Sequence, residues 1–532
     1  MNSAITRKTL KILSWLAAAF LAVKTGYMAA NVISFSLAAN IPNEVRDLVQ
    51  YRVVWSFMAG QNPYAYEALS SGTVPLAYMY TFLQPLCTAV VCKLTGVGVI
   101  AGNFVVNVLC ILGTAMCIWI LVKDVLSVSG GRGAGFIALL LTAGTSFAMF
   151  NVPFFTFRPD ALGILLSTFL FLLLYKSPQR VILSAFLTIM LIHTKQILVV
   201  MALPVFLWYL LNDAKLAWRY FAACVIFTAV EIAAIMVFFP LYWGEAVYSL
   251  FTTIYGFKLW TAFRNICIFC RRYVAFIALG LAGIVLMLSR REGSLFSRVA
   301  ALLSDLRHEY IMLILLNMVC SLAFLTYFAR NGGDGIKYCS DMLASSVIIF
   351  AVLIWKHAVP SWTELRRSLM TFMVCCAALC SFMLGGFYYH KFSLQDICNY
   401  AEAWQTISQY DNGTPMYLGM TASNYLADSA NTGKEYIYFD DGHIEYQNKE
   451  LSGKKFAALT GRLLNVDKIY EAGRNYAAKV NQMVKDKKFC LIVQGLGRVI
   501  SKEALTENYR ELKTLELAAV TGERDVTFYV PR

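Results

Sequence analysis

The chain has 532 residues, of which 58% are hydrophobic and only 15% are charged, and its formal net charge is +14. Residues 1–390 hold 28 Lys and Arg against 14 Asp and Glu, whereas residues 391–532 hold 18 against 18. The whole positive excess therefore lies in the apolar part of the chain. This distribution argues against nucleic acid as a partner and predicts a polytopic membrane protein whose basic loops set its orientation.

Apolar stretches predict about eleven transmembrane helices in residues 1–390. The stretch 74–95 is excluded, because two prolines and Lys93 interrupt it. Residues 38–97 then form one long external loop, in which 74–95 is re-entrant or juxtamembrane. The spans are predicted at about 10–37, 98–122, 134–151, 160–175, 181–193, 196–211, 217–239, 272–289, 309–328, 341–357 and 368–388.

The six segments that this arrangement places on the cytoplasmic side are all basic, as membrane orientation requires. They are Arg7/Lys8/Lys11, Lys123/Arg132, Lys176/Arg180, Lys215/Arg219, Arg290/Arg291/Arg298/Arg307 and Lys356/Arg366/Arg367. Counting 74–95 as a span would place the later basic loops outside. The amino terminus is thus predicted inside, and the protein is predicted to be a multi-pass protein of the cell (inner) membrane.

Residues 391–532 are predicted to form a small soluble α/β domain on the periplasmic or equivalent external side. Short strand-like runs alternate there with helical stretches such as 450–463 and 466–486. The strand-like runs begin at Met416, Tyr436, Phe489 and Val526. The domain has no glycine-rich phosphate loop and no nucleophile elbow, so the sequence assigns it no catalysis.

Two acidic residues follow the first predicted span. Glu44 and Asp47 are three positions apart, so a helix would place both on one face. A carboxylate at the lipid boundary is suited to act as a general base. The alternative is that Asp47 simply pairs with Arg46 or Arg52 on a surface helix.

Further charged residues fall at the predicted outer ends of other spans. Asp160 and Lys195 begin short spans, where an ionisable group is costly unless it is paired, hydrated or functional. Cationic side chains on the same predicted side are Arg158, Lys258, Arg264, Arg271, Arg272, Arg330 and Lys337. Carboxylates and cations together suit an anionic lipid headgroup that meets a hydroxyl nucleophile.

Structural explanations stand beside this functional one. Arg158 and Asp160 can form a salt bridge that fixes the fourth span, and Lys195 can snorkel to the interface. Arg271 and Arg272 can serve as interfacial anchors.

These residues resemble, in their order along the chain, the polyprenyl-phosphate-dependent glycosyltransferases of the C-type fold (GT-C), which include protein mannosyltransferases and the aminoarabinose transferases of lipid A. The resemblance covers most of residues 1–390. It rests on Asp47 with Gly60 and Asn62-Pro63-Tyr64, on Val74 to Tyr78 with Lys93 to Gly96, on Arg158-Pro159-Asp160, on Thr194-Lys195-Gln196, and on Gly333 to Tyr338. Lys337 stands where the last motif of the family usually has Asn.

The resemblance implies a transferase that moves a sugar from a polyprenyl-phosphate donor to a lipid, glycan or protein acceptor in cell-envelope glycan synthesis. Asp47, or Glu44, would act as the general base, and Asp160 would orient the acceptor or the cations. Substrate-binding residues would be Tyr64, Arg158, Lys195, Gln196, Arg264, Arg271, Arg330, Lys337 and Tyr338. Because cationic side chains can neutralise the leaving phosphate, neither a metal nor another cofactor is expected.

Two other functions are compatible with the same features. A transporter or flippase for lipid-linked sugars would also need many spans and a basic cavity, but many transporters contain repeated halves, and this sequence shows no internal repeat. A polymerase or ligase of surface polysaccharide would share the lipid-linked donor without needing the acid in the first external loop.

Overall fold

The structure is a computed structural model, and most of the chain is described in it. The described residues are 3–39, 48–71, 81–125, 159–248, 259–328, 335–359, 363–384, 393–419, 422, 425, 434–439, 464–495, 499–519 and 522–532.

Helices make up the described part of the chain as far as residue 384. They are α1 Ser3–Ala39, α2 Leu48–Met58, α3 Tyr66–Ser71, α4 Leu83–Thr95, α5 Val99–Val125, α6 Asp160–Lys176, α7 Val181–Ile192, α8 Ala202–Asn212, α9 Ala214–Phe238, α10 Leu259–Arg272, α11 Val274–Ser289, α12 Leu295–Leu306, α13 Tyr310–Phe328, α14 Gly335–Ala358 and α15 Glu364–Leu384. A 3-10 helix at Gln196–Met201 precedes α8, and a π-helix follows α9 at Gly244–Tyr248.

Local side chains fix several helix boundaries. α4 ends at Gly96, whose φ of 73° lies in the left-handed region that favours glycine. The Asp213 side chain accepts a hydrogen bond from the backbone N–H of Lys215 and so caps the start of α9. Ser393 and Asp396 form a capping box at the start of α16, Leu394–Tyr410, which is the first described element after α15.

α14 is the central helix of the apolar bundle. It packs against α5, α6, α10, α11 and α13, and most of its side chains are buried within the protein. α9 lies at the opposite extreme, since few of its side chains are covered by other parts of the protein. A helix that is apolar all round and uncovered is suited to contact with lipid.

Five helices in the described residues are long and apolar enough to cross a membrane, or up to seven if each of two bent helix pairs counts as one span. The five are Ala4–Tyr27, Val99–Lys123, Ala214–Phe238, Tyr338–Ala358 and Glu364–Leu384. The two pairs are α10 with α11, bent by 79°, and α12 with α13, bent by 116°. The protein is thus a largely helical membrane protein, but eleven transmembrane helices are not confirmed.

The number of transmembrane helices differs from the predicted eleven because several of the helices are short. Ten of the predicted spans fall on helical segments, and the eleventh, 134–151, lies outside the described residues. α6, α7 and α8 have 17, 12 and 11 residues. At 1.5 Å per residue, helices of this length fall short of a hydrocarbon core of about 30 Å. α4, in the stretch that was excluded from the predicted spans, is also short, with 13 residues.

The tail contains a five-stranded sheet in the order β2-β1-β3-β5-β4. Its elements after α16 are β1 Met416–Leu418, β2 Ile437–Phe439, α17 Val466–Lys485, β3 Leu491–Gln494, α18 Lys502–Asn508, β4 Tyr509–Ala519 and β5 Gly522–Pro531. β1 is parallel to β2 and β3, whereas β5 is antiparallel to β3 and β4. A sheet with helices near the carboxyl terminus agrees with the predicted α/β tail.

The prediction and the structure of the tail differ in one strand. Strand-like runs were predicted at the positions of β1, β2, β3 and β5, and the predicted helix 466–486 corresponds to α17. β4 was not predicted. The predicted helix 450–463 and the predicted boundary at residue 390 lie outside the described residues.

The tail packs against the apolar bundle through α17. The Tyr66 hydroxyl donates to Glu471 at 3.4 Å and accepts from the Asn475 side chain at 3.3 Å. A Cβ atom on Gly244 would lie 2.6 Å from the carbonyl oxygen of Leu464, so this close approach requires glycine. α17 thus covers α3 and the π-helix that follows α9.

Gly283 lies where α11 packs closely on α14. A Cβ atom at this position would lie 2.6 Å from Cγ2 of Ile354, and branching at its Cβ leaves Ile354 little freedom to move aside. We expect Gly283→Val to lower the free energy of unfolding by about 1–3 kcal/mol. Thermal unfolding of the purified protein in detergent measures this. Gly26→Val is the matched control, because no atom of the described residues lies within 4 Å of a Cβ on Gly26; equal effects of the two substitutions would contradict the prediction.

Asp411 makes the stability of the tail depend on pH. Burial alone would raise the pKa of its carboxyl, but hydrogen bonds from Lys434, Tyr436 and Tyr425 outweigh burial and lower that pKa. The contacts of the ionised Asp411 carboxylate therefore stabilise the fold at neutral pH. This stabilisation is lost as the pH falls through the lowered pKa. We expect Asp411→Asn to weaken the tail by about 1–2 kcal/mol at pH 7.

Pulse proteolysis of the full-length protein across pH measures this effect. The difference in stability between wild type and Asp411→Asn should shrink as the pH falls below the range in which an ordinary Asp titrates. Asp525→Asn is the control, because Asp525 is exposed. A constant difference at every pH would show that the carboxylate charge is not what matters.

Candidate functional site

A buried lysine lies between two carboxylates at one end of the bundle. The Lys195 ammonium contacts Oδ1 of Asp160 and Oδ2 of Asp341. The exposed fractions are 3% for Lys195, 0% for Asp160 and 5% for Asp341. The ring of Tyr338 lies 4.9 Å from the same ammonium. These four residues are called the Lys195 cluster below.

Three chain segments bring the Lys195 cluster together. Asp160 is the first residue of α6, where a carboxylate is favoured by the positive end of the helix dipole. Lys195 has an extended backbone between α7 and the 3-10 helix. Tyr338 and Asp341 lie in the first turns of α14, three positions apart and hence on one helix face. Lys195, at the break between α7 and the 3-10 helix, thus contacts carboxylates at the starts of α6 and α14.

The charges of the Lys195 cluster do not cancel when all three groups are ionised. Two carboxylates and one ammonium carry a net charge of −1. Oδ1 of Asp160 receives the ammonium, while Oδ2 of Asp160 is buried and has no hydrogen-bond partner among the described residues. A buried acceptor without a partner is costly, so this oxygen is suited to accept a hydrogen bond from a substrate hydroxyl.

His193, two residues before Lys195, forms a second polar group. Its Nδ1 lies 3.0 Å from the Tyr242 hydroxyl. Its Nε2 lies 2.5 Å from Oε1 of Glu231. His193 itself is 1% exposed. The turn that carries Lys195 is therefore fixed on its other side by a buried histidine and its carboxylate.

The π-helix after α9 also contacts this turn. The Gln196 side-chain amide donates to the backbone carbonyl of Ala246, which lies in the π-helix. Gln196 is 6% exposed, and Glu245, next to Ala246, is also buried. Because α17 of the tail packs on the same π-helix, a continuous path of contacts joins the tail to Lys195.

Tyr64 lies in an aromatic cluster beside His193. The cluster consists of Tyr64, Phe82, Phe239, Tyr242 and Trp243. The Tyr64 ring meets Phe239 and Tyr242 edge to face, with centroids 5.5 Å and 5.2 Å apart. The turn before it is held by Asn62, whose side chain accepts from the Tyr64 N–H and donates to the Phe238 carbonyl. The structure thus gives Tyr64 a packing position, and its predicted contact with substrate stays a prediction.

The predicted cations of α10 differ in their exposure. Arg264 and Arg271 are exposed on this amphipathic helix, whereas Arg272 is buried. Exposed Leu259, Trp260 and Phe263 share the helix with Arg264. This pattern is typical of a helix that lies in a membrane interface.

Several predicted site residues cannot be placed relative to the Lys195 cluster. Glu44, Asp47, Arg158 and Arg330 lie outside the described residues, and so does the side chain of Lys337 in the first turn of α14. By sequence, Arg158 is two residues from Asp160 and Lys337 is next to Tyr338. Their predicted roles stay predictions.

Asp341, His193 and Glu231 were not among the predicted site residues. Asp341 and Glu231 are acidic residues within apolar helices, and this alone marks a residue as costly and worth explaining. Asp341 was missed because its partners are distant in sequence: Lys195 is 146 positions away. Pairing of that kind becomes visible only in the fold.

Within the described ranges, no three His, Cys, Asp or Glu side chains are grouped so that they could hold a metal ion. In the Lys195 cluster the Lys195 ammonium lies between the two carboxylates.

Comparisons of this chain with protein-family models, with curated proteins and with solved structures found no match.

Removal of the Lys195 ammonium should be strongly destabilising. Lys195→Met leaves two carboxylates together in a buried site, and loss of one partner from a buried ion pair costs about 3–5 kcal/mol. We expect a lowered melting temperature of the purified protein in detergent. Adding Asp160→Asn and Asp341→Asn to the same chain should restore part of the loss, because the two neighbouring buried negative charges are then absent.

Lys176→Met is the matched control, because Lys176 is exposed at the other end of α6. It should change the melting temperature little. If Lys195→Met were as mild as Lys176→Met, or if the added Asn substitutions made it worse, the buried cluster would not be held by charge.

Proposed function

We propose that this protein is an integral membrane glycosyltransferase that moves a sugar from a polyprenyl-phosphate donor to a lipid, glycan or protein acceptor. The Lys195 cluster carries this proposal, because ionisable groups buried among apolar helices are costly and usually mark a function. The C-type-fold resemblance of the sequence supports it. Two members of the cluster, Asp160 and Lys195, belong to the motifs on which that resemblance rests.

The proposed orientation places the Lys195 cluster on the external face of a cell (inner) membrane, with about eleven spans and the amino terminus inside. Two observations support this arrangement. The predicted cytoplasmic segments are uniformly basic. The tail, which is predicted to be external, packs on the π-helix that contacts Gln196, so the tail and the cluster lie at the same end of the bundle.

In the proposed reaction, an acceptor hydroxyl attacks the anomeric carbon and inverts its configuration. The new bond joins the acceptor oxygen to that carbon, and the bond from the carbon to the phosphate oxygen breaks. Its electron pair leaves with the polyprenyl phosphate. The hydroxyl proton passes to a carboxylate, for which Asp47 or Glu44 is proposed. Cationic side chains stabilise the charge that develops on the phosphate.

The geometry refines the proposed roles. The Lys195 ammonium is already offset by two carboxylates, so we assign it the task of holding Asp160 in place. Oδ2 of Asp160 then accepts a hydrogen bond from the hydroxyl of the sugar-accepting substrate and orients that hydroxyl. Neutralisation of the phosphate falls to the other proposed cations, which are Arg158, Arg264, Arg271, Arg330 and Lys337.

A transporter of lipid-linked sugars is the second candidate, and one observation favours it. A buried lysine paired with carboxylates is also the arrangement through which coupled transporters move charge. The sequence shows no repeated halves, and it ends in an external domain that packs on the site side of the bundle. This asymmetry is better suited to the enzyme.

The test is transfer from a panel of radiolabelled polyprenyl-phosphate sugars by the full-length protein in liposomes, with and without a chelator. Wild type should transfer at least one sugar, and the chelator should have no effect. Asp47→Asn and Asp160→Asn should each lower the rate by about 10²–10⁴-fold, because each removes a group that acts on the hydroxyl.

Asp305→Asn is the matched control, because Asp305 is an exposed carboxylate that pairs only with Arg291 among the described residues. It should leave transfer unchanged. Movement of lipid-linked sugar without transfer would overturn the enzyme and support the transporter. Transfer that survives Asp47→Asn and Glu44→Gln together would overturn the assigned base and favour a polymerase or ligase.

A further inference from the structure

A groove runs along the outer surface of the bundle between α7 and α9. Its volume is ≈ 840 Å³, which lies within the roughly 300–1,000 Å³ that small-molecule sites occupy. Two arginines, Arg180 and Arg219, line it, and most of the other lining residues are apolar. Among the described residues, no acidic side chain lines it.

The two ends of the groove differ in chemistry. Ring centroids of Phe186 and Phe227 lie 5.9 Å apart, and further along the chain His193, just after α7, contacts Glu231 of α9, so α7 and α9 run in the same direction from their amino-terminal ends. Arg180 and Arg219 lie near those ends, so both cations share one end of the groove. The phenylalanines lie about 9 Å further along α7 and about 12 Å further along α9, at 1.5 Å per residue.

Both guanidinium groups are available for a ligand. Arg180 and Arg219 are exposed, and neither has a carboxylate within ion-pair distance among the described residues. Two guanidinium groups at one site match a phosphate, because each can donate two parallel hydrogen bonds to its oxygens. An apolar channel that continues from a phosphate site matches a hydrocarbon chain.

We propose that this groove binds an anionic glycerophospholipid of the surrounding bilayer. The headgroup phosphate lies between Arg180 and Arg219, and an acyl chain lies along α7 and α9 toward Phe186 and Phe227. The uncovered surface of α9 gives the lipid direct access from the bilayer. The groove begins at the opposite end of α7 from Lys195, about 18 Å away for a helix of 12 residues. The bound lipid is therefore separate from a donor whose reacting carbon lies at the Lys195 cluster.

The test is native mass spectrometry of the full-length protein in detergent, titrated with dioleoyl-phosphatidylglycerol or dioleoyl-phosphatidylcholine. Wild type should retain phosphatidylglycerol at least about tenfold more tightly, because only this lipid has a net negative headgroup for the two charge-assisted contacts. Arg180→Gln with Arg219→Gln should remove this preference. Ala222→Trp should weaken both lipids, because it fills the groove and leaves the charges intact.

Lys176→Gln with Lys215→Gln is the matched control. It removes the same charge from the same end of the bundle, from two exposed residues that do not line the groove. It should leave the preference unchanged. An equal loss in this control would show diffuse attraction and overturn the site. Insensitivity to Ala222→Trp, or displacement of the lipid by inorganic phosphate alone, would show an anion site without an acyl-chain channel.

Discussion

One buried ammonium determines how one end of the bundle is arranged. Lys195 is closed off from solvent, so its charge has to be met by carboxylates, and Asp160 and Asp341 supply them from the starts of α6 and α14. Each carboxylate is equally costly without the ammonium. Three segments that are far apart in sequence are thus held to one geometry, and the central helix of the bundle is among them.

The sequence predicted part of this site and could not predict the rest. Asp160 and Lys195 are recognisable because both are charged residues at the starts of short apolar segments. Asp341 also begins a predicted span, but nothing local indicates which of several distant cations it meets. Helix positions were predicted well because apolar runs are local, whereas the number of crossings was not confirmed, since α6, α7 and α8 are too short to be counted by length. β4 was missed because the register shift between Glu511 and Lys513 breaks the alternation of its side chains.

Neighbouring side chains hold the turn around Lys195 in place. The turn that carries it is held by His193, which contacts Glu231 and Tyr242, and by Gln196, which bonds to the π-helix. The aromatic cluster fills the space beside this turn with edge-to-face rings. Tyr64, for which a substrate contact was predicted, packs in this aromatic cluster. Rigid support of this kind is what keeps a charged group in one position.

The contact of α17 with α3 has a consequence for biosynthesis. The Tyr66 hydroxyl donates to Glu471 although 405 positions separate the two residues. Most of the chain therefore has to be translated before α17 can cover α3. A chain that stops before α17 therefore leaves α3 and the π-helix without the helix that covers them.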